Sequence, residues 1–385
     1  MGFNNSYDVA VVGAGVFGAW TAYTLQRAGQ KVLLLDAFGP GNSRSSSGDE
    51  SRVIRMGYGT DEIYTRMAMR SLKFWKEFCA ETAQSLFYQT GVLWMAVQDD
   101  AYVEKIRGTL ERLGVRHERI EREELDARYP QVNWDGVDWG LLEAESGVLT
   151  ARRAVAAVVE AACRAGTEYR TEAVVEPEGK SRLAEVKTVR GEAIRAGNFV
   201  FACGPWMGKL FPRAVGERIF ATRQEVFYFG VPPGERRFAL PTMPVCICIT
   251  SEEMYSIPDL EGRGFKVAHD RRGPAFDPDL DDRVVTREGL AHVRAYLSRR
   301  FPAMKDAPML ESRVCQYENT WNGDFLIDRH PELENVWLVG GGSGHGFKHG
   351  PAVGEYVATL VMHRGTTEER FALGSKDKKA ARGVY

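Results

Sequence analysis

No apolar run in this sequence approaches the roughly 18 residues that a membrane-spanning helix needs, and no secretory signal peptide is visible. Charge of one sign is also missing. Fifty basic residues, 50 Lys and Arg, stand against 52 acidic ones for a formal charge of -2, which argues against nucleic acid and anionic membrane as partners and favours small-molecule chemistry. Six cysteines in 385 residues, at 79, 163, 203, 246, 248 and 315, are too sparse for a disulfide framework and suit a reducing compartment. These absences predict a soluble, cytoplasmic protein. Cys246 and Cys248 share one face of a strand and read as buried core rather than as metal ligands, since no further ligands stand near them in sequence. Met1 to Ser6 fits the loose myristoylation pattern, which is short enough to arise by chance. There is no internal repeat and no low-complexity tract. The length suits roughly two or three domains.

What is present is concentrated in Tyr7 to Asp36, YDVAVVGAGVFGAWTAYTLQRAGQKVLLLD. Asp8 to Val12 is an apolar run of the kind that forms a strand buried on both faces. Gly13, Gly15 and Gly18 then spell G-x-G-x-x-G, which permits a tight turn, lets backbone amides approach a pyrophosphate and lets the next helix sit close to the sheet. That helix is predicted over Val16 to Ala28 and ends at Gly29. A second strand, Lys31 to Leu35, delivers Asp36 where a carboxylate accepts the ribose hydroxyls of an adenosine. A dinucleotide site follows, with Gly13, Gly15, Val16, Phe17, Gly18 and Asp36 as its residues.

Gly39 to Gly48 is a loop by its Gly and Ser content. Arg52 and Arg55, three apart, fall on neighbouring positions of a helical turn, either as an anion site or as a solvated basic turn. Ile63 to Ala83 has helical spacing. Leu86 to Ala96 reads as a hairpin around Gly91, and here the chain leaves the first domain. Ala101 to Leu113, Glu121 to Arg128, Ala151 to Gly166 and Arg283 to Phe301 read as helices. Glu168 to Val175, Glu185 to Val189, Phe199 to Cys203, Phe220 to Val231, Phe238 to Ile257 and Val336 to Val339 read as strands or strand pairs. The tail from Gly374 is expected to fray. His345 and His349 have the i,i+4 spacing of zinc ligands but lie in a Gly-rich loop without a third ligand, so no metal is expected.

Further along, Cys315 to Thr320 (CQYENT), Asp324 to Pro331 (DFLIDRHP) and Gly340 to Lys348 (GGGSGHGFK), with Gly350 and Val353 to Glu355, resemble the monomeric sarcosine oxidase family of the D-amino-acid-oxidase-like flavoproteins. SRVIR with Tyr58 and Gly59, Arg223 with Gln224, Tyr255 to Pro258 and Phe265 with Lys266 fall in that family's order and close to its spacing. The resemblance spans Tyr7 to Glu355. It implies an α/β protein: a Rossmann-like FAD-binding domain built from residues 1–85, 140–222 and 310–385, with an inserted α+β substrate domain, residues 86–139 and 223–309, on a mainly antiparallel sheet.

Position by position, the resemblance implies that Cys315 tethers the flavin covalently, a step in which a nearby cation helps form the thiolate. It implies that Arg55 and Lys348 hold a substrate carboxylate, that Arg52 lies against the flavin, and that Lys266 assists reaction with dioxygen. Tyr255, Tyr317 and His269 line the substrate pocket. Ser45, Gly342, Gly344, Gly346, Phe347 and Lys348 complete the cofactor set. The sequence departs from the family at Ser45 to Ser51, where histidines are common and one residue is added between Gly48 and Arg52. His269 follows Lys266 by three positions where the family spacing has four. Ser251 to Met254 and Asp270 to Pro274 are expected to edge the pocket without a sarcosine-specific pattern. The implied activity is oxidation of a secondary amine beside a carboxylate to an imine, with O2 reduced to hydrogen peroxide, by a monomer. Alternatives are a dehydrogenase that uses a quinone or carrier protein, an oxidase of fructosyl amino acids or of a tRNA methylaminomethyl group, and a flavin-binding module without catalysis.

Overall fold

Alternate residues of the first strand enter different cores, and this fixes the centre of the molecule. In the computed structural model, which describes residues 7–249 and 252–378, Val9 and Val11 of the strand Tyr7–Val12 pack into one apolar cluster while Ala10 and Val12 pack into another. Leu34 and its neighbours Leu33 and Leu35 divide in the same way in Val32–Asp36. Covered on both sides, such strands are apolar at successive positions rather than alternating. They belong to a six-stranded sheet in the order Leu326–Arg329, Val336–Gly340, Ala196–Phe201, Tyr7–Val12, Val32–Asp36, Glu168–Thr171. All its pairings are parallel except the hairpin of the first two.

The helix Val16–Arg27 lies on this sheet. A Cβ placed on Gly18 would sit 1.8 Å from the carbonyl oxygen of Gly13, so glycine is what lets the helix approach the strand it follows. Trp20 from this helix meets Trp75 and Phe78 of the helix Glu62–Thr82 edge to face, at 5.0 and 5.3 Å between ring centres. Gly350–Val361 packs against the same helix, bringing sequence positions far apart into one layer.

A second sheet has eight strands, ordered Met309–Thr320, Ile219–Phe229, Phe265–His269, Met254–Ile257, Val245–Cys248, Val92–Ala96, Trp139–Glu143, Glu118–Glu121. It is antiparallel except where Val245–Cys248 runs parallel to Val92–Ala96. Its period-2 alternation separates structure from chemistry. Phe227, Phe229, Phe265 and Val267 face a core shared with the helix Arg287–Arg300. The intervening Val226, Tyr228 and Ala268 pack together elsewhere, with Tyr255 against them.

Three local expectations change. Arg52–Ile54 is a strand, not a helical turn, and Phe87–Tyr88 does not pair with Val92–Ala96 as a hairpin; both short segments pair with Gly147–Leu149 in a three-stranded sheet. The start of the tail is folded: Leu373–Ser375 forms a single tight turn, and the buried ammonium of Lys376 donates to the Arg370 carbonyl. The rest of the tail, 379–385, and the Met1 to Ser6 pattern lie outside the described residues. No helix among the described residues is long and apolar enough to cross a membrane.

Candidate active site

Two adjoining cavities collect nearly all of the residues singled out from the sequence. The larger, about 420 Å³, opens at the ends of the parallel strands, where Val12, Asp36, Ala202 and Val339 stand on its wall, the usual place for a ligand in a doubly wound sheet. Gly13, Gly15, Val16, Phe17, Asp36, Ser45 and Arg52 line it from the N-terminal half, and Gly342, Gly344, Gly346 and Phe347 from the C-terminal half. Gly18 lies outside it and acts in packing.

The cavity suits a dinucleotide. The helix Val16–Arg27 begins at Gly15, which has no side chain to cap it, and carries no acidic residue in its first turn, so its positive end suits a phosphate. Ser47, whose hydroxyl accepts the Val16 amide at 3.1 Å, ties the loop after the second strand to that helix start. Asp36 has a second task besides facing the cavity. Its carboxylate accepts the amides of Ala14, Phe38 and Gly39 at 2.8 to 2.9 Å and so shapes both turns. Burial pushes its carboxyl up, against those three bonds.

The smaller cavity, about 60 Å³, is lined by Arg52, Arg55, Tyr255, Lys266, His269, Cys315, Tyr317 and Lys348. Arg52, Tyr317, Gly344 and Phe347 line both cavities, so the two share a wall. Strand parity supplies these side chains. Lys266 lies between core-facing Phe265 and Val267, and Cys315 and Tyr317, two apart in Met309–Thr320, point the same way. Gly344, at φ +85°, permits the Tyr317 ring to approach; a Cβ there would come within 2.7 Å of it.

Each cation is held by named partners. Arg55, 3% exposed, has its guanidinium 4.6 Å from the ring of Tyr58 and 4.8 Å from that of Trp94, and donates to the Gly57 carbonyl. Lys348 Nζ donates to the Tyr58 hydroxyl and to the His345 carbonyl, each at 2.9 Å. Burial, with the charge of Arg55 next, pulls Lys348 well below the ordinary lysine range. His345 Nδ1 and His349 Nε2 meet the same Tyr58 hydroxyl at 3.3 and 2.7 Å, and His345 Nε2 faces the Gly323 carbonyl at 3.0 Å. The two histidines are thus joined through Tyr58 to the lysine between them in sequence.

Arg52 Nη2 lies 3.3 Å from Cys315 Sγ, within reach to donate to the sulfur. Its other end donates to Asp49, a carboxylate 2% exposed that also accepts from Lys266 Nζ at 2.6 Å and from the Tyr228 hydroxyl at 2.6 Å. Burial alone would push the Asp49 carboxyl up; the charges of Lys266 and Arg52 overcome it and hold Asp49 well below the usual carboxylate range. His269 faces His292 at 5.1 Å between rings, and burial followed by the Arg271 charge pushes it down to about 4, so it is neutral at pH 7.

Asp49, Tyr58, Glu143 and Glu318 were not given roles from the sequence. Buried Glu143 accepts the amides of Met56 and Gly57 at 2.6 and 3.0 Å and the Trp94 indole at 2.7 Å, which fixes the segment just after Arg55. Glu318 lines the larger cavity, and burial pushes its carboxyl up to about 7. A signal existed for three of them, since Asp49 and Tyr58 flank the SRVIR motif and Glu318 stands within CQYENT; Glu143 had none.

Comparison with known proteins agrees with this arrangement. The FAD dependent oxidoreductase family matches residues 8–360. Peroxisomal sarcosine oxidase of Homo sapiens is 30% identical over 364 residues, covering 92% of this chain and 92% of its own. Monomeric sarcosine oxidase of Bacillus sp. (strain NS-129) is 30% identical over 379 residues, 97% of each chain. Among solved structures, L-proline dehydrogenase from P. horikoshii shares the fold with a TM-score of 0.85 at 24% identity, covering 99% of this chain and 100% of that one. A cavity that suits a dinucleotide, beside a cation-lined pocket, thus accompanies a family match over almost all of the sequence: the chain belongs to the FAD dependent oxidoreductases.

Proposed function

We propose that the protein oxidises a secondary amine beside a carboxylate, as in an N-methyl or cyclic amino acid, to the imine, with O2 reduced to hydrogen peroxide. The observation that carries this reading is the convergence of Arg55 and Lys348, from opposite ends of the sequence, on one small cavity that adjoins the dinucleotide cavity. FAD held in the larger cavity, among Gly13, Gly15, Asp36 and Ser45, would supply a two-electron acceptor beside the smaller one. The six-stranded sheet and its helices form the FAD-binding domain in this reading, and the eight-stranded sheet carries the substrate domain, taking in residues 140–143, 219–222 and 310–320 that the sequence bounds gave to the FAD-binding domain.

The chain's own groups do the rest. Arg55 and Lys348 anchor the carboxylate through charge-assisted hydrogen bonds and orient the amine. Tyr255 and Tyr317 wall the pocket against water. Lys266 offers positive charge where dioxygen gains negative charge. Cys315, whose sulfur lies 3.3 Å from the Arg52 guanidinium, is the residue that would hold the flavin covalently. The enzyme works as a cytoplasmic monomer.

Anaerobic addition of N-methyl amino acids should bleach the yellow protein, and admission of air should release peroxide. Reduction without peroxide would point to another electron acceptor, and no bleaching by any N-methyl, cyclic or N-fructosyl amino acid would end the proposal. Arg55→Met should raise KM by about 10 to 100-fold, the loss expected for one charge-assisted anchor, while the visible spectrum is unchanged. Unaltered KM would remove Arg55 from the clamp. Acid precipitation should leave the colour with the wild-type polypeptide and release it to the supernatant from Cys315→Ser; colour lost from the wild type would rule out the tether.

A further inference from the structure

Among the described residues lining the smaller cavity, Asp270 is the one acid. The four cations around it are not equivalent. Arg52 and Lys266 already share the buried carboxylate of Asp49, whereas Arg55 and Lys348 form the clamp described above. Asp270 is held in place by another lining residue: its Oδ1 accepts from the Tyr317 hydroxyl at 3.0 Å. Tyr317 is in turn set by its strand and by the glycine beneath its ring. The negative charge of Asp270 is also felt at Lys348, where it favours the ammonium against burial. A single small space therefore presents a pair of cations and a half-buried carboxylate to one ligand.

Both signs are met together by one class of molecule, an amino acid whose nitrogen is cationic. We propose that Asp270 makes this pocket a zwitterion site, selecting ligands with a positive charge one carbon from the carboxylate over neutral ligands of the same shape. The inference rests on the carboxylate clamp of the preceding section and adds the second anchor. A monoanionic ligand would bring its carboxylate to Arg55 and Lys348 but leave its apolar end against Asp270. A zwitterion brings an opposite charge to each, and in a water-poor pocket that difference is large.

Dimethylsulfonioacetate and 3-methylbutanoate test this. They have the same branched shape and the same carboxylate, differ in the charge at the branching atom, and cannot be dehydrogenated to an imine. Each is titrated into the FAD-loaded protein at one pH, with the visible flavin absorbance as readout. The wild type should bind the sulfonium compound at least about tenfold more tightly. Asp270→Asn should abolish that preference while 3-methylbutanoate binds within about threefold of its wild-type affinity, and Asp270→Glu, which keeps the charge, should retain a preference. Equal affinities in the wild type would overturn the inference without any variant. Equal weakening of both ligands by Asp270→Asn would also overturn it, since it would make Asp270 a counter-ion of the clamp only. Failure of both ligands to perturb the spectrum is a different result, which would remove the clamp itself and this inference with it.

Discussion

Lys266→Met is expected to slow reoxidation by dioxygen by about 10² to 10³-fold, the scale of removing one preorganised charge from a developing anion, while anaerobic reduction by substrate changes only about threefold. Methionine is close to lysine in length and apolar, so it fills the same space between Tyr228 and Tyr255, whose rings each lie 5.7 Å from the Lys266 ammonium. Asp49 keeps Arg52 and Tyr228 as partners. The substrate clamp proposed above is elsewhere, at Arg55 and Lys348, which is why the two half-reactions should separate. Stopped flow measures both; equal slowing would take Lys266 out of the dioxygen step. Burial, opposed by Asp49, brings Lys266 down to about 8. The cationic fraction therefore falls as pH rises through about 8, and wild-type reoxidation should fall with it. The same profile should be flat in Lys266→Met.

The strand–turn–helix unit beside the larger cavity was readable because its signal is local. One strand, one glycine turn and one helix carry it within thirty consecutive positions, and the strand Tyr7–Val12 and helix Val16–Arg27 lie within a residue of where the pattern puts them. The misread segments share a cause. Arg52–Ile54 and Phe87–Tyr88 are both shaped by pairing with Gly147–Leu149, a strand far along the chain, and tertiary pairing overrode the spacing of two arginines and the turn signal at Gly91. The pocket residues could be located only through the family resemblance, since Lys266 and Cys315 by themselves are an ordinary lysine and an ordinary buried thiol. Asp49 escaped notice for a related reason. Two of its partners, Tyr228 and Lys266, are distant in sequence, so the neighbouring SRVIR motif marks the place but not the buried charge network that closes there.

Asp49→Asn is expected to have the largest effect on stability, a loss of about 3 to 5 kcal/mol, because it leaves the buried ammonium of Lys266 and the guanidinium of Arg52 without their shared counter-charge. Asn keeps the shape and one acceptor for Tyr228, so what is removed is chiefly charge. The measurement is the urea midpoint with FAD held at one concentration. Because the folded Asp49 carboxyl lies well below its unfolded value, its contribution is complete above about pH 4, the unfolded carboxyl range, and is lost as pH falls below it. That acid-side slope should be shallower in Asp49→Asn. A second substitution separates charge from shape. If uncompensated cations cause the loss, Asp49→Asn with Lys266→Met should be more stable than Asp49→Asn alone, even though it differs from wild type at one more buried position. Additive losses from the two substitutions would show that Asp49 and Lys266 are not energetically coupled, and the short contact between them would then be packing rather than an ion pair that matters to the fold.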